Sequence, residues 1–168
     1  DMFPALSPEP GQFMCDRAGV YGEFLTDIII LRCPSDPTVP NTVGPEAIDD
    51  HSYIYLGYAI TNATEAQAFL DAYKNRAEAA SFEGDLPVAP GQGTNGGDTL
   101  LRLRDDLARD LPIADAEIPV MFDRDFHHVP NGINVLFLDG HTAFFRQGQH
   151  FLADPAFLQA LEQLQDKP

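Results

Sequence analysis

Basic residues are scarce in this chain of 168 residues. Ten Lys and Arg stand against 26 Asp and Glu, which gives a formal net charge of −16 at pH 7. Such a chain repels polyanions at long range, so nucleic acid and anionic lipid surfaces are nearly excluded as partners. Long apolar runs are also lacking, since the longest aliphatic stretch is Ile28-Ile29-Ile30-Leu31. A bilayer span needs roughly 18 apolar residues or more, so the sequence predicts no membrane span.

Cysteine is scarce as well. Cys15 and Cys33 lie 18 positions apart, and no further cysteine completes a zinc set. An even count in an acidic chain fits one disulfide, so we predict a Cys15–Cys33 bridge formed in an oxidising compartment. Two buried free thiols are the main alternative, and His-rich metal ligation that involves them is a third reading.

The composition is that of one folded domain. Apolar residues make up 44% of the chain and charged residues 21%, which is too apolar for a disordered acidic tail. The length suits a single globular domain over residues 1–168. The sequence opens at Asp1-Met2-Phe3, so we expect that an upstream segment, such as a signal or an anchor, precedes it.

Proline and glycine divide the first half into short elements. Residues 1–12 predict an extended lead-in, and Pro37 and Pro40 predict a loop. Three elements are predicted around that loop: a short helix over 18–25 capped by Asp16, a buried strand over 28–31, and a strand over 52–58.

Apolar spacing predicts three further helices, and residues 84–97, rich in glycine and proline, predict a surface loop. The first helix has Thr64 and Gln67 in capping-box form and an apolar face that runs from Ala66 to Ala77. The other two are a helix capped by Asp98 with a stripe of Leu100, Leu103, Leu107 and Leu111, and a last helix that starts at Asp154-Pro155 and carries Phe157, Leu158, Leu161 and Leu164.

Asp139-Gly140 is the strongest local signal, and it follows a predicted strand over 118–122. A two-residue turn needs positive φ at both positions, which Asp tolerates and Gly accepts freely. We therefore predict a hairpin of residues 133–138 and 141–146. A two-residue loop would pair Leu138 with His141, Leu136 with Ala143, and Asn134 with Phe145.

Residues 126–141, Phe-His-His-Val-Pro-Asn-Gly-Ile-Asn-Val-Leu-Phe-Leu-Asp-Gly-His, resemble the C-terminal signature of prepilin-type proteins. These pilin-like or pseudopilin-like proteins are named for a His, a nine-residue spacer and Asp-Gly, and here ten residues separate His128 from Asp139. Segments 3–11, 31–36 (Leu-Arg-Cys-Pro-Ser-Asp) and 52–58 look like the same group. The hydrophobic N-terminal helix of that family, with its Phe-Thr-Leu-Ile-Glu processing site, is not in this sequence.

The resemblance implies a fold and a role. The expected fold is a pilin-like α+β domain, in which an antiparallel sheet with the C-terminal hairpin packs against two or three helices. The expected role is that of a non-enzymatic structural or accessory subunit of an extracellular filament or a secretion pseudopilus. Its partners would be itself or other pilin-like subunits, in a periplasmic, extracellular or cell-surface location.

Potential metal ligands crowd into residues 123–141: Asp123, Asp125, His127, His128, Asp139 and His141. The simplest reading is that Asp139 serves the turn, while His128 or His141 bonds loop backbone. The alternative is a weak Ca²⁺ site drawn from Asp123, Asp125, His128, Asp139 and His141.

The rival function is a secreted metal-dependent hydrolase or a carbohydrate-binding module that uses His128, Asp139 and His141. In the predicted register these side chains diverge, and no zinc-hydrolase helix motif, Walker loop, dinucleotide fingerprint or Gly-x-Ser-x-Gly elbow occurs. We therefore expect no catalytic residue, no cofactor and no tightly bound transition metal, and leave weak Ca²⁺ binding open.

Overall fold

The computed structural model describes residues 1–22, 24–36, 38, 44–75 and 82–165. Ala77, Pro37 and Pro40, named in the predictions above, lie outside these ranges. The strands among the described residues are β1 (Tyr53–Tyr55), β2 (Leu86–Pro87), β3 (Thr99–Leu100), β4 (Pro119–Asp123), β5 (Gly132–Phe137) and β6 (Thr142–Arg146). The α-helices are α1 (Ala63–Asn75), α2 (Leu107–Asp110) and α3 (Pro155–Gln165). None of the helices in these ranges has the length and apolar character needed to span a membrane.

The described strands form two antiparallel sheets. The larger sheet has the order β1-β4-β5-β6, and β2 pairs with β3 in a separate ribbon. In the larger sheet Tyr53 of β1 lies opposite Asp123 of β4, and a register irregularity occurs between Pro119 and Met121. The predicted mixed α+β class is therefore confirmed.

One hydrophobic cluster joins the large sheet to α1 and α3. Ile133, Val135 and Phe137 are buried at every second position of β5, as the two-residue period of a strand requires. Phe122 of β4 contacts Phe157 of α3, with ring centroids 6.3 Å apart. The sheet and the helices thus share a single core.

The two long helices begin at side-chain caps. Asp154 accepts a hydrogen bond from the Ala156 backbone N–H at 2.9 Å, and Pro155 is the first residue of α3, as predicted. Helix α1 begins at Ala63 instead, because Asn62 caps it by accepting from the Glu65 N–H at 3.1 Å. Thr64, the predicted cap, lies inside the helix.

The predicted strand over 28–31 is wrong. These residues form a 3₁₀ helix, Ile28–Leu31, because the Asp27 carboxylate accepts a hydrogen bond from the Ile29 N–H and caps a turn. Ile28 alone of the four is buried, while Ile29 and Ile30 are 65% and 64% exposed. The local cap overrides the strand preference of the β-branched side chains.

The predicted helix after Asp98 is also wrong. Residues 99–104 are largely extended: β3 pairs with β2, the Ala59 N–H donates to the Leu101 carbonyl at 2.8 Å, and the Leu103 N–H donates to the Gly57 carbonyl at 3.0 Å. Backbone pairing with a distant segment therefore replaces the local helix, which is reduced to α2. The predicted core residues Leu100, Leu103 and Leu107 are nevertheless fully buried.

Residues 84–97, predicted as a surface loop, are partly structured. They contain β2 and a 3₁₀ turn, Thr94–Gly96. The Thr94 hydroxyl donates to the Ala59 carbonyl at 2.8 Å and accepts from the Leu101 N–H at 3.0 Å. These bonds fasten the segment to the core.

The hairpin forms, but its register differs from the prediction by one residue. Ile133 pairs with Phe145 and Val135 with Ala143, and the Phe137 N–H donates to the His141 carbonyl at 2.9 Å. The loop therefore contains three residues, with Gly140 at φ +88° closing it. Because one step of register exchanges the faces of a strand, Phe144 points to the outer face and is 40% exposed.

Candidate functional site

Cys33, from the first half of the chain, meets Asp123 and His128, which are five residues apart, at one end of the large sheet. The Nε2 atom of His128 lies 3.5 Å from Cys33 Sγ and 3.1 Å from Asp123 Oδ2. Cys33 and Asp123 are buried, and the His128 side chain is 22% exposed. We call this set the Cys-Asp-His cluster; its three ligand atoms lie within 4.8 Å of one another.

Strand pairing positions the two members of the cluster that lie near the sheet. Asp123 ends β4, and its Oδ2 accepts hydrogen bonds from the Asn134 backbone N–H at 2.6 Å and from Asn134 Nδ2 at 2.9 Å. His128 forms an antiparallel bridge with Gly132 at the start of β5. A Cβ at Gly132 would lie 2.5 Å from the Phe145 carbonyl oxygen, so the close approach of β6 requires glycine there.

The surroundings of the cluster are dry and rich in hydrogen-bond donors. Burial raises the pKa of Asp123, and the hydrogen bonds from Asn134 and the charge of His128 oppose that rise only in part. Burial also raises the pKa of Tyr53 to about 12, with the charges of Cys33 and Asp123 adding to the effect. Tyr53 therefore stays protonated beside Cys33.

A second polar set includes Asp36, three residues after Cys33, and His127, which directly precedes His128. Asp36 Oδ2 is 3.5 Å from His51 Nε2 and 4.0 Å from His127 Nε2, while Thr38 donates to Asp36 Oδ1 through its N–H at 2.8 Å and its hydroxyl at 2.7 Å. Burial acts to raise the pKa of Asp36, but the Thr38 hydrogen bonds and the two imidazoles outweigh it and lower the pKa. A buried carboxylate thus stays ionised between two histidines.

The five residues considered for a metal site do not form one site. Asp123 and His128 lie together, and Asp125 is near His127, with 3.9 Å between Oδ2 and Nε2. Asp139 and His141 form a separate pair at the hairpin loop, with His141 Nδ1 2.6 Å from Asp139 Oδ1. Asn134, which holds Asp123, lies three residues before the end of β5, which amounts to about 10 Å along a strand.

The Asp139–His141 pair therefore serves the turn. Asp139 Oδ1 accepts from the His141 N–H at 3.0 Å, and the hydrogen bonds from His141 lower the pKa of Asp139. The set of His128, Asp139 and His141 proposed for a hydrolase or a carbohydrate-binding module does not converge.

The structure replaces the predicted disulfide with two free, buried cysteines. Cys15 lies in the hydrophobic core beside Leu6, and burial raises the pKa of its thiol to about 11. Cys33 belongs instead to the cluster with His128 and Asp123. The two thiols occupy different environments, which is why they do not bridge.

The sequence favours pairing Cys33 with Cys15 and leaves metal ligation as a third reading, so it does not predict that Cys33 lies beside His128 and Asp123. A usable signal was present in the segments that carry the prepilin-type resemblance. Segment 31–36 contains Cys33 and Asp36, segment 52–58 contains Tyr53, and segment 126–141 contains His127 and His128. The fold brings residues from these three segments to the same place.

The geometry of the cluster is not that of a nucleophilic triad. In a Cys-His-Asp triad the thiol and the carboxylate contact different nitrogens of the imidazole, so that one accepts the thiol proton while the other is held by the acid. Here both Cys33 and Asp123 face the same Nε2 atom. The three groups are arranged as ligands around a common point.

A cleft of about 390 Å³ lies between α3 and residues 124–126. Asp125, Phe126, Leu158 and Glu162 are among the residues that line it, whereas Cys33, Asp123 and His128 are not among its described lining residues. The cleft is therefore separate from the cluster.

Comparison with known proteins does not identify the chain. No family model, curated protein or solved structure matches it. The resemblance to prepilin-type proteins is thus neither supported nor refuted by these comparisons.

Proposed function

We propose that this chain is a non-enzymatic structural subunit of an extracellular filament or a secretion pseudopilus. In this role it packs against copies of itself or against other pilin-like subunits, outside the inner membrane. The observation that carries the proposal is a set of exposed apolar side chains within residues 21–30. Tyr21, Phe24, Ile29 and Ile30 are 42%, 76%, 65% and 64% exposed.

Large apolar side chains that are exposed singly need no explanation, but a concentration of them in one short segment is typical of an interaction surface. We call these four residues the apolar segment. Asp27 caps the 3₁₀ turn, and Ile28 anchors that turn in the core, so Ile29 and Ile30 are held on the surface. Complete burial of such a side chain against a neighbour is worth about 1.5–3 kcal/mol.

The acidic charge sets the conditions for this contact. At −16 per chain, neighbouring copies repel one another, and the repulsion between exposed charges falls as salt screens it. Apolar contact through the segment therefore becomes effective when salt or a divalent cation reduces the repulsion. Association that strengthens with ionic strength is the opposite of what charge pairing would give.

The rival enzyme or sugar-binding function lacks a comparable observation. Its three residues, His128, Asp139 and His141, lie at two separate places, and the Cys-Asp-His cluster lacks triad geometry. The role of a structural subunit accounts for the exposed apolar residues and requires no catalytic group.

Sedimentation velocity of the chain across a series of protein, NaCl and CaCl₂ concentrations tests the proposal. We expect the weight-average sedimentation coefficient of the wild type to rise with protein concentration and with salt. The double variant Ile29→Ser/Ile30→Ser should lose most of this rise, because both side chains are exposed and their loss leaves the core intact.

Val129→Ser is the matched control, since Val129 is 94% exposed and lies outside the apolar segment. It should associate like the wild type, and thermal melts should show that all three proteins are folded. A wild type that stays monomeric throughout, or a double variant that associates as strongly as the wild type, would contradict the proposal.

A further inference from the structure

We propose that Cys33, Asp123 and His128 bind a zinc-type transition metal ion. This site is independent of the filament role. Its metal would fasten the segment after the Ile28–Leu31 turn to the end of β4 and its connection to β5, which supply Asp123 and His128.

The separations between the ligand atoms match a tetrahedral ion. With a Zn–S bond of about 2.3 Å and Zn–N and Zn–O bonds of about 2.0 Å, tetrahedral geometry places sulfur about 3.5 Å from nitrogen and nitrogen about 3.3 Å from oxygen. The corresponding distances from His128 Nε2 are 3.5 Å to Cys33 Sγ and 3.1 Å to Asp123 Oδ2. The two separations from His128 Nε2 therefore match a tetrahedral ion, and all three ligand atoms lie within 4.8 Å of one another.

The donor set selects the class of metal. Thiolate and imidazole are ligands for zinc and related transition ions, whereas Ca²⁺ and Mg²⁺ take oxygen ligands. A single carboxylate beside sulfur and nitrogen donors does not suit Ca²⁺. With three protein ligands, the fourth position is left to water or to another donor.

Groups around the cluster orient the ligands. Asn134 donates to Asp123 Oδ2 through both its backbone N–H and its side-chain amide, and the protonated Tyr53 lies beside Cys33. Hydrogen bonds of this kind hold metal ligands in place and disperse their negative charge. Neither Asn134 nor Tyr53 needs to contact the ion.

The arrangement is poorly explained by hydrogen bonding alone. An imidazole nitrogen carries at most one proton, so Nε2 can direct one good hydrogen bond toward either Asp123 or Cys33. A cation at the common point, by contrast, interacts favourably with all three groups at once. The convergence of both partners on one nitrogen is what favours an ion.

Metal content and cobalt spectroscopy of the full chain test this site. The protein is stripped with a chelator, reloaded with Zn²⁺, dialysed and analysed for bound metal, and a parallel sample is titrated with Co²⁺. We expect stoichiometric zinc, and a Co²⁺ complex with a sulfur-to-cobalt charge-transfer band and the intense visible bands of tetrahedral cobalt. Zn²⁺ should raise the melting temperature, and Ca²⁺ at the same concentration should not.

Matched variants identify the ligands. Cys33→Ser and His128→Ala should each weaken Zn²⁺ binding by more than about tenfold, since each removes a direct ligand. Cys15→Ala and His141→Ala remove the other thiol and a histidine that is also paired with a carboxylate, and they should bind like the wild type.

Several results would overturn the site. These are a wild type without stoichiometric metal, a cobalt complex without the sulfur band, and equal zinc content in Cys33→Ser and wild type. If His128→Ala does not fold, the cobalt spectrum of the wild type and the conservative Cys33→Ser variant still decide the question. Failure of metal binding would leave the association experiment on Ile29 and Ile30 unaffected.

Discussion

Replacing Gly140 isolates the conformational energy of the hairpin loop. The residue has φ +88°, and a Cβ built on it would meet no atom within 4 Å. Its N–H donates to the Phe137 carbonyl at 2.9 Å, a bond that any residue except proline preserves. The cost of a side chain at this position is therefore backbone strain alone, without a steric clash.

An L-residue in a left-handed conformation costs about 1–2 kcal/mol. We expect Gly140→Ala to lower the free energy of unfolding by that amount, and Gly140→Val to lower it further because β-branched residues tolerate positive φ least. Gly140→Asn should cost less than Gly140→Ala, since asparagine is enriched in the left-handed region.

Gly19→Ala is the control, because Gly19 does not have positive φ and a Cβ there also meets no atom within 4 Å. Urea unfolding followed by circular dichroism measures all four variants against the wild type, with an unchanged m-value as the sign that two-state unfolding is preserved. If Gly140→Ala matched Gly19→Ala, or if Gly140→Asn were the most destabilised variant, the three-residue loop would be incorrect.

Two further predictions concern the ionisable side chains of Glu65, which is buried, and His150, which is partly buried. Glu65 is buried, and its two carboxylate oxygens accept from the Thr61 N–H at 2.6 Å and the Asn95 N–H at 2.9 Å. In Glu65→Gln the amide NH₂ of the new side chain faces one of these N–H donors, so the variant should lower the free energy of unfolding, measured in urea, by about 2 kcal/mol. An unchanged urea midpoint would refute this. Burial lowers the pKa of His150, whose Nδ1 accepts from the Leu152 N–H at 3.3 Å. The stability that neutral His150 contributes is present above its unfolded pKa of about 6.5 and is lost as pH falls through the lower folded pKa. His150→Asn keeps a side-chain acceptor for the Leu152 N–H but has no group that titrates in this range. The loss of stability from about pH 7 to about pH 5 should therefore be smaller in the variant than in the wild type. Equal losses in the two proteins would contradict this.

Elements defined by bonds between near neighbours agree with the local sequence. Asp154 and Pro155 start α3 at the predicted residue, and Gly140 adopts positive φ. In each case the deciding interaction joins residues two to four positions apart, so the necessary information lies within one turn of chain. The same holds for Asp27, although its cap was overlooked in favour of the isoleucines that follow it.

Elements defined by pairing across the chain depart from the local pattern. The leucines after Asp98 have helical spacing, yet the Leu103 N–H bonds to Gly57 and the chain there is extended. Leu100, Leu103 and Leu107 are nevertheless buried and Leu111 is partly buried, because burial depends on where the segment lies as well as on its own periodicity. Arg102, which lies off the leucine stripe, is also buried and donates to the backbone carbonyls of Phe82 and Phe3.

The acidic charge, the mixed α+β class, the last helix, the existence of the hairpin and most of the core leucines follow from residue types and local spacing. The tertiary structure alone decided the site. Cys33 and His128 are 95 positions apart, and nothing local distinguishes a cysteine that pairs with another cysteine from one that lies beside a histidine and an aspartate. That choice depends on which groups the pairing of β4 with β5 places around the thiol, because ligand distances of a few ångströms are set by the packing of the whole chain.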